Sequence, residues 1–86
     1  MNRLVIMGSP VARFVTLTAY CDGKQHDSVG ILPEDLGEVT LDYLLTYNIN
    51  HIDLVGNRSY MEGFEKRIRE AETTNYSLAN VTFCYV

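Results

Sequence analysis

The chain has 86 residues, 47% of them hydrophobic, with a net charge of -4 and a pI near 4.9. That length bounds it to one domain with a single modest core, and that apolar fraction excludes a disordered chain. An acidic balance argues against sequence-unspecific nucleic-acid binding, which calls for a basic surplus.

Taken in chain order, "RLVIM" (Arg3 to Met7) is a continuous apolar run closed by "GSP" and predicts a buried strand ended by a turn. "ARFVTLTAYC" (Ala12 to Cys21) alternates Phe14, Thr16, Thr18 and Tyr20 against Val15, Leu17 and Ala19, a strand with two unlike faces. Asp22-Gly23 is a hairpin signal. "DGKQHD" reads as the turn, and "SVGIL" (Ser28 to Leu32) as the returning strand. Asp22, His26 and Asp27 are then ordinary turn residues. Pro33, Glu34 and Asp35 open a helix carrying Leu36, Thr40, Leu41, Leu44 and Leu45 at helical spacing, with Tyr47 and Asn48 near its end. Gly37 weakens it slightly. "HIDLV" (His51 to Val55) is a strand. "SYMEGFEKRIREAE" is a second helix with the apolar stripe Met61, Phe64, Ile68 and Ala71. Ser59 and Glu62 match a capping box. "TTNYSLAN" is a loop and "VTFCYV" a last strand.

The resulting order, β-β-β-α-β-α-β, predicts an α/β domain with a mixed sheet: a hairpin on one side, right-handed parallel crossovers on the other, and two helices packed on the sheet. This order resembles the ribonuclease H-like superfamily, which includes the halves of actin-like ATPases. "IDLVGNRSYMEGFEKRI" is similar to the late strand-turn-helix unit of actin-like proteins, where a glycine-rich turn lies near nucleotide. That family carries two glycines in the turn; this chain has Gly56 followed by Asn57. The family's first strand carries a metal-binding acid, and "RLVIM" has none. The resemblance therefore implies the frame without the nuclease or ATPase chemistry, and fold alone does not assign an activity.

The residues offer few catalytic groupings. Cys21 and Cys84 form no CxxC pair and lie in apolar strands, as reduced, buried thiols do. No G-x-S-x-G elbow occurs, and Ser9 has no His nearby. His51 and Asp53 project to one side of their strand, since they stand two positions apart. Two ligands do not make a metal site. No cofactor and no metal are expected from these patterns.

The turn after His51 to Val55 is the candidate site. Gly56 permits close backbone approach, the free N–H groups of a helix start attract an anion, Arg58 adds a planar fork, and Tyr60 offers a ring. Gly56, Asn57, Arg58, Ser59 and Tyr60 are thus the expected ligand-binding residues, although Ser59 and Glu62 account for the same turn as a plain cap. Six tyrosines with no tryptophan, Tyr43 and Tyr47 among them on one helix face, suit a partner interface. Exposed sheet edges favour self-association. The expected function is a non-catalytic binding protein, cytoplasmic and of a virus-encoded accessory type in its size and style. It would hold a small anionic or nucleotide-like ligand at an oligomer pocket and sequester a host signalling molecule. The alternatives are a protein–protein module or inhibitor acting on a host protein through the tyrosine-bearing helix face or a sheet edge, and a minimal metal-dependent hydrolase of ribonuclease H-like type. The opening "MNRLVIMGSP" is too short for a signal-peptide core, and no run reaches membrane-span length.

Overall fold

A computed structural model describes residues 1–72 and 77–86. The expected loop over 73–80, with Tyr76, falls partly outside the described residues. The elements are β1 (Asn2–Met7), β2 (Val15–Cys21), β3 (Lys24–Ile31), a 3-10 turn (Pro33–Asp35) running into α1 (Leu36–Thr46), β4 (His51–Val55), α2 (Arg58–Glu70) and β5 (Thr82–Tyr85). They build one five-stranded mixed sheet in the order β3-β2-β1-β4-β5. β2 is antiparallel to both β1 and β3, while β1, β4 and β5 run parallel. The α/β class and the element order follow the pattern read from the sequence.

Both crossovers, β3 to β4 through α1 and β4 to β5 through α2, step the same way across the sheet. Right-handed connections therefore put both helices on one face. Burial agrees. Leu4, Ile6, Val15, Leu17, Ala19, Ile52 and Leu54 point to that face and pack with Leu36, Leu41, Leu44, Met61, Phe64 and Ile68. The two helices approach closely where a side chain on Gly37 would meet the Ala71 methyl at 2.8 Å, so the glycine that weakens α1 is what admits α2 beside it. The end of α1 is fixed by Asn48, whose φ of 51° is the left-handed conformation of a helix stop. The Ile49 N–H then donates to the Leu44 carbonyl at 2.9 Å.

Two readings of the sequence are corrected. The hairpin turn is only Asp22-Gly23, with φ of 53° and 83°, and β3 begins at Lys24. His26 and Asp27 are therefore strand residues, because a two-residue turn with both φ positive matches the strand twist and lets pairing start at once. β1 is buried on one side only: Leu4 and Ile6 are fully covered while Met7 is 50% exposed. The apolar run hides this one-sidedness, because among the described residues no helix lies on the second face.

That second face carries Arg3, Val5 and Met7 from β1, Thr16, Thr18 and Tyr20 from β2, Ser28 and Gly30 from β3, His51, Asp53 and Val55 from β4, and Thr82 and Cys84 from β5. Phe14, 53% exposed, lies beside Gly30. Among the described residues no helix is long and apolar enough to cross a membrane.

Candidate functional site: the open face of the sheet

The turn from Gly56 to Tyr60 is put together as a helix start. Gly56 has φ of +150°, and a Cβ there would lie 2.6 Å from the Gly8 carbonyl oxygen; the strand end needs this glycine to pass β1. Asn57, not Ser59, is the N-cap: its Oδ1 accepts the Tyr60 N–H at 3.1 Å. Ser59 thereby falls inside the first turn, exposed, and the Ser59–Glu62 capping box does not form, because Asn57 reaches the third helical N–H first. Arg58 lies over the Tyr85 ring at 4.3 Å and 3.8 Å from Glu62. Tyr60 is half-buried and tilted against Phe64, with ring centroids 4.9 Å apart. The five residues are adjacent in space as in sequence, but the cap, the Arg58 guanidinium and the Tyr60 ring each have a partner within the protein.

Arg58 belongs to a different arrangement. β5 turns Phe83 and Tyr85 toward α2, where Arg69 covers Phe83 at 4.5 Å and Arg58 covers Tyr85. The Tyr85 hydroxyl donates to Glu65, and Arg69 pairs with the same carboxylate at 2.7 Å. The Tyr85 hydrogen bond holds the Glu65 carboxyl below its usual range, against the opposing pull of burial. Burial, then Glu65, pushes the Tyr85 hydroxyl up to about 12.

The tyrosines of α1 are similarly committed. The Tyr43 hydroxyl donates to Asp27 at 2.9 Å and the Tyr47 hydroxyl at 3.4 Å, with the two rings stacked at 5.7 Å. Burial first, and Asp27 second, raises Tyr43 to about 12. These rings brace α1 against the edge strand β3.

The open face presents the remaining polar constellation. Asp53, at the centre of β4, is only 8% exposed. Its Oδ1 lies 2.9 Å from His51 Nε2 and its Oδ2 lies 3.2 Å from Arg3 Nη1. The parallel register sets Arg3 opposite His51 and Val5 opposite Asp53, and Asp53 opposite Cys84 on the other side. One ligand atom from each of His51, Asp53 and Cys84 falls within 4.8 Å of the others. A buried carboxylate needs compensation, and here a cation and an imidazole supply it. The His51–Asp53 pairing is legible from strand parity. Arg3 and Cys84 are not, because their places depend on the register of three parallel strands, which local sequence does not encode.

Beside this set is a cleft of about 520 Å3 lined by Met1, Arg3, Val5, Tyr20, Asp22 and Gly23. It lies where β1 and β2 pair Arg3 with Tyr20. Arg3 therefore joins two features, the Asp53 cluster and the cleft wall, and its side chain remains 46% exposed.

No protein-family model matches the chain, and no curated protein matches it.

Proposed function

We propose that the chain is a non-catalytic binding protein that holds a small anionic, nucleotide-like ligand in the open-face cleft, which a second copy of the chain closes. The observation that carries the reading is the cleft beside Arg3 and Tyr20, about 520 Å3 in volume. That is within the ~300–1,000 Å3 range of small-molecule sites. A guanidinium has five N–H donors, and Asp53 engages Arg3 through Nη1; the others can take a phosphate or carboxylate. Tyr20 supplies a ring face, Val5 an apolar floor, and Asp22 an acceptor for a hydroxyl or amine. This set suits a ligand that is anionic at one end and polar-aromatic at the other. The expected site at Gly56 to Tyr60 has less to support it, since its cap and its Arg58 are satisfied internally.

A second copy is the favoured cover. The open face is close to neutral on a chain of net charge -4, because Arg3 and Asp53 offset one another. Around them Val5, Met7, Phe14, Thr16, Thr18 and Val55 are uncharged. The broad dimensions of the molecule, 30 × 29 Å, supply an area on the order of the ~800 Å2 per partner of a specific interface.

The same reading keeps the chain as a catalytically silent variant of the ribonuclease H-like frame. The strand order is consistent with that kinship, and β1 carries no acid where the first strand of that frame has one. A small sequestering role toward a host signalling anion fits a binder whose described residues hold Asp53 as the one buried carboxylate.

Calorimetric titration with adenosine mono-, di- and cyclic monophosphates and with pyrophosphate tests the proposal. Binding should weaken at least about tenfold, ~1.4 kcal/mol, in Arg3→Ala and stay unchanged in Arg58→Ala. No heat with any of these probes, or the reverse ranking of the two variants, would overturn it.

A further inference from the structure

The geometry points to a zinc site on the same face, formed by His51 Nε2, an Asp53 carboxylate oxygen and Cys84 Sγ, with a fourth position open to water or a ligand. This does not rest on the nucleotide-cleft reading: Arg3 touches both features, but none of the three donors lines the cleft. The donors come from neighbouring strands β4 and β5 in direct register, so the sheet ladder, not a loop, sets their spacing. Each offers one ligand atom within 4.8 Å of the other two, and His51 and Asp53 already stand at 2.9 Å. Tetrahedral zinc, with bonds of ~2.0–2.3 Å, requires donors about 3.3–3.8 Å apart. The 2.9 Å His51–Asp53 spacing and the 4.8 Å limit on the three donors bracket that range.

The donor chemistry selects the ion. One imidazole nitrogen, one carboxylate oxygen and one thiolate make a borderline-soft set that suits zinc and does not suit magnesium or calcium, which take oxygen ligands. Three protein ligands with a fourth place open is the pattern of a zinc that receives an exogenous ligand. Arg3 at 3.2 Å from Oδ2 holds the carboxylate plane and leaves Oδ1 for the metal. On binding, the Cys84 thiol releases its proton to solvent and the His51 proton resides on Nδ1, so that the Nε2 lone pair and the thiolate face the ion.

The test uses the untagged, metal-free protein and cobalt(II) alone as probe, with zinc as competitor. The expected result is saturation at one ion per chain, with intense four-coordinate absorption and a thiolate-to-cobalt charge-transfer band, both abolished by zinc. Cys84→Ala removes the charge-transfer band, and His51→Ala and Asp53→Asn weaken binding at least about tenfold. Should a variant fail to fold, alkylation of the wild-type protein decides: zinc protects Cys84 and leaves Cys21 reactive. Cys21 lies in β2 on the helix-bearing face and serves as the internal control. Weak six-coordinate cobalt absorption, a spectrum unchanged in Cys84→Ala, or Cys84 alkylated at the same rate with and without zinc would each overturn the assignment.

Discussion

Gly56→Ala is the substitution whose consequence the structure states most directly. The residue has φ of +150°, a conformation that side-chain-bearing residues rarely adopt, and such strain costs about 1–3 kcal/mol. A Cβ would lie 2.6 Å from the Gly8 carbonyl oxygen and 3.2 Å from the Met61 sulfur. The sulfur can swing away, but the carbonyl belongs to the backbone leaving β1, which is tied to β4 by the Gly8 N–H donating to the Val55 carbonyl at 3.4 Å. The combined effect is about 3 kcal/mol, a large share of the ~5–15 kcal/mol that holds a domain folded. At ~4–8 °C per kcal/mol for this size, the expected fall in Tm is about 12–24 °C. Gly63→Ala is the control: that glycine is exposed in the middle of α2 with nothing within 4 Å of an added Cβ, and the change should stabilise by up to about 1 kcal/mol. Thermal and urea unfolding followed by circular dichroism measures both. A Gly56→Ala protein that melts with the wild type would refute the structural account of the turn. Loss of nucleotide binding with stability intact would return Gly56 to the role of a ligand loop.

Three other outcomes follow from the hydrogen-bond network. Glu65 titrates below its ordinary value chiefly because Tyr85 donates to it. Its contribution is therefore complete above the ordinary ~4.3 and is lost as pH falls through the lowered folded value. The urea-midpoint gap between wild type and Glu65→Gln should be constant near neutrality and close in acid; a gap independent of pH contradicts the pairing. Tyr43, raised to about 12, contributes stability that is complete below its ordinary ~10 and lost as pH rises through the folded value. Alkaline unfolding should accordingly be less steep in Tyr43→Phe, and an identical alkaline limb would contradict the Asp27 bond. Thr40 is fully buried, and its hydroxyl has no hydrogen-bond partner among the described residues. Thr40→Val should stabilise by about 1 kcal/mol; destabilisation of that size would mean the hydroxyl is paired.

The sequence made the fold legible wherever the signal is local. The β4 limits from His51 to Val55, the Asp22-Gly23 turn and the stripe Met61, Phe64, Ile68 on α2 all depend on spacing a few residues long, and all are found. The fold is not legible where two local signals compete or where tertiary cover decides. Asn57 and Ser59 can each cap a helix, and only the path of β4 past Gly8 selects Asn57. "RLVIM" is equally apolar whether one or both of its faces are covered, so the open face could not be foreseen. Its polar cluster was half visible: parity on one strand gives His51 with Asp53, while Arg3 and Cys84 join them through inter-strand register. Nothing local to Arg58 reveals the ring beneath it, because Tyr85 lies 27 residues further along the chain.

If the open sheet face, and not the Gly56 to Tyr60 turn, holds the ligand, bound nucleotide perturbs that face. Amide chemical-shift mapping of the isotopically labelled protein, titrated with an adenosine nucleotide, tests it most directly. Saturable shifts should concentrate at Arg3, Val5, Tyr20 and Gly23. Shifts centred on Asn57, Arg58, Ser59 and Tyr60, or none at saturating nucleotide, would contradict it.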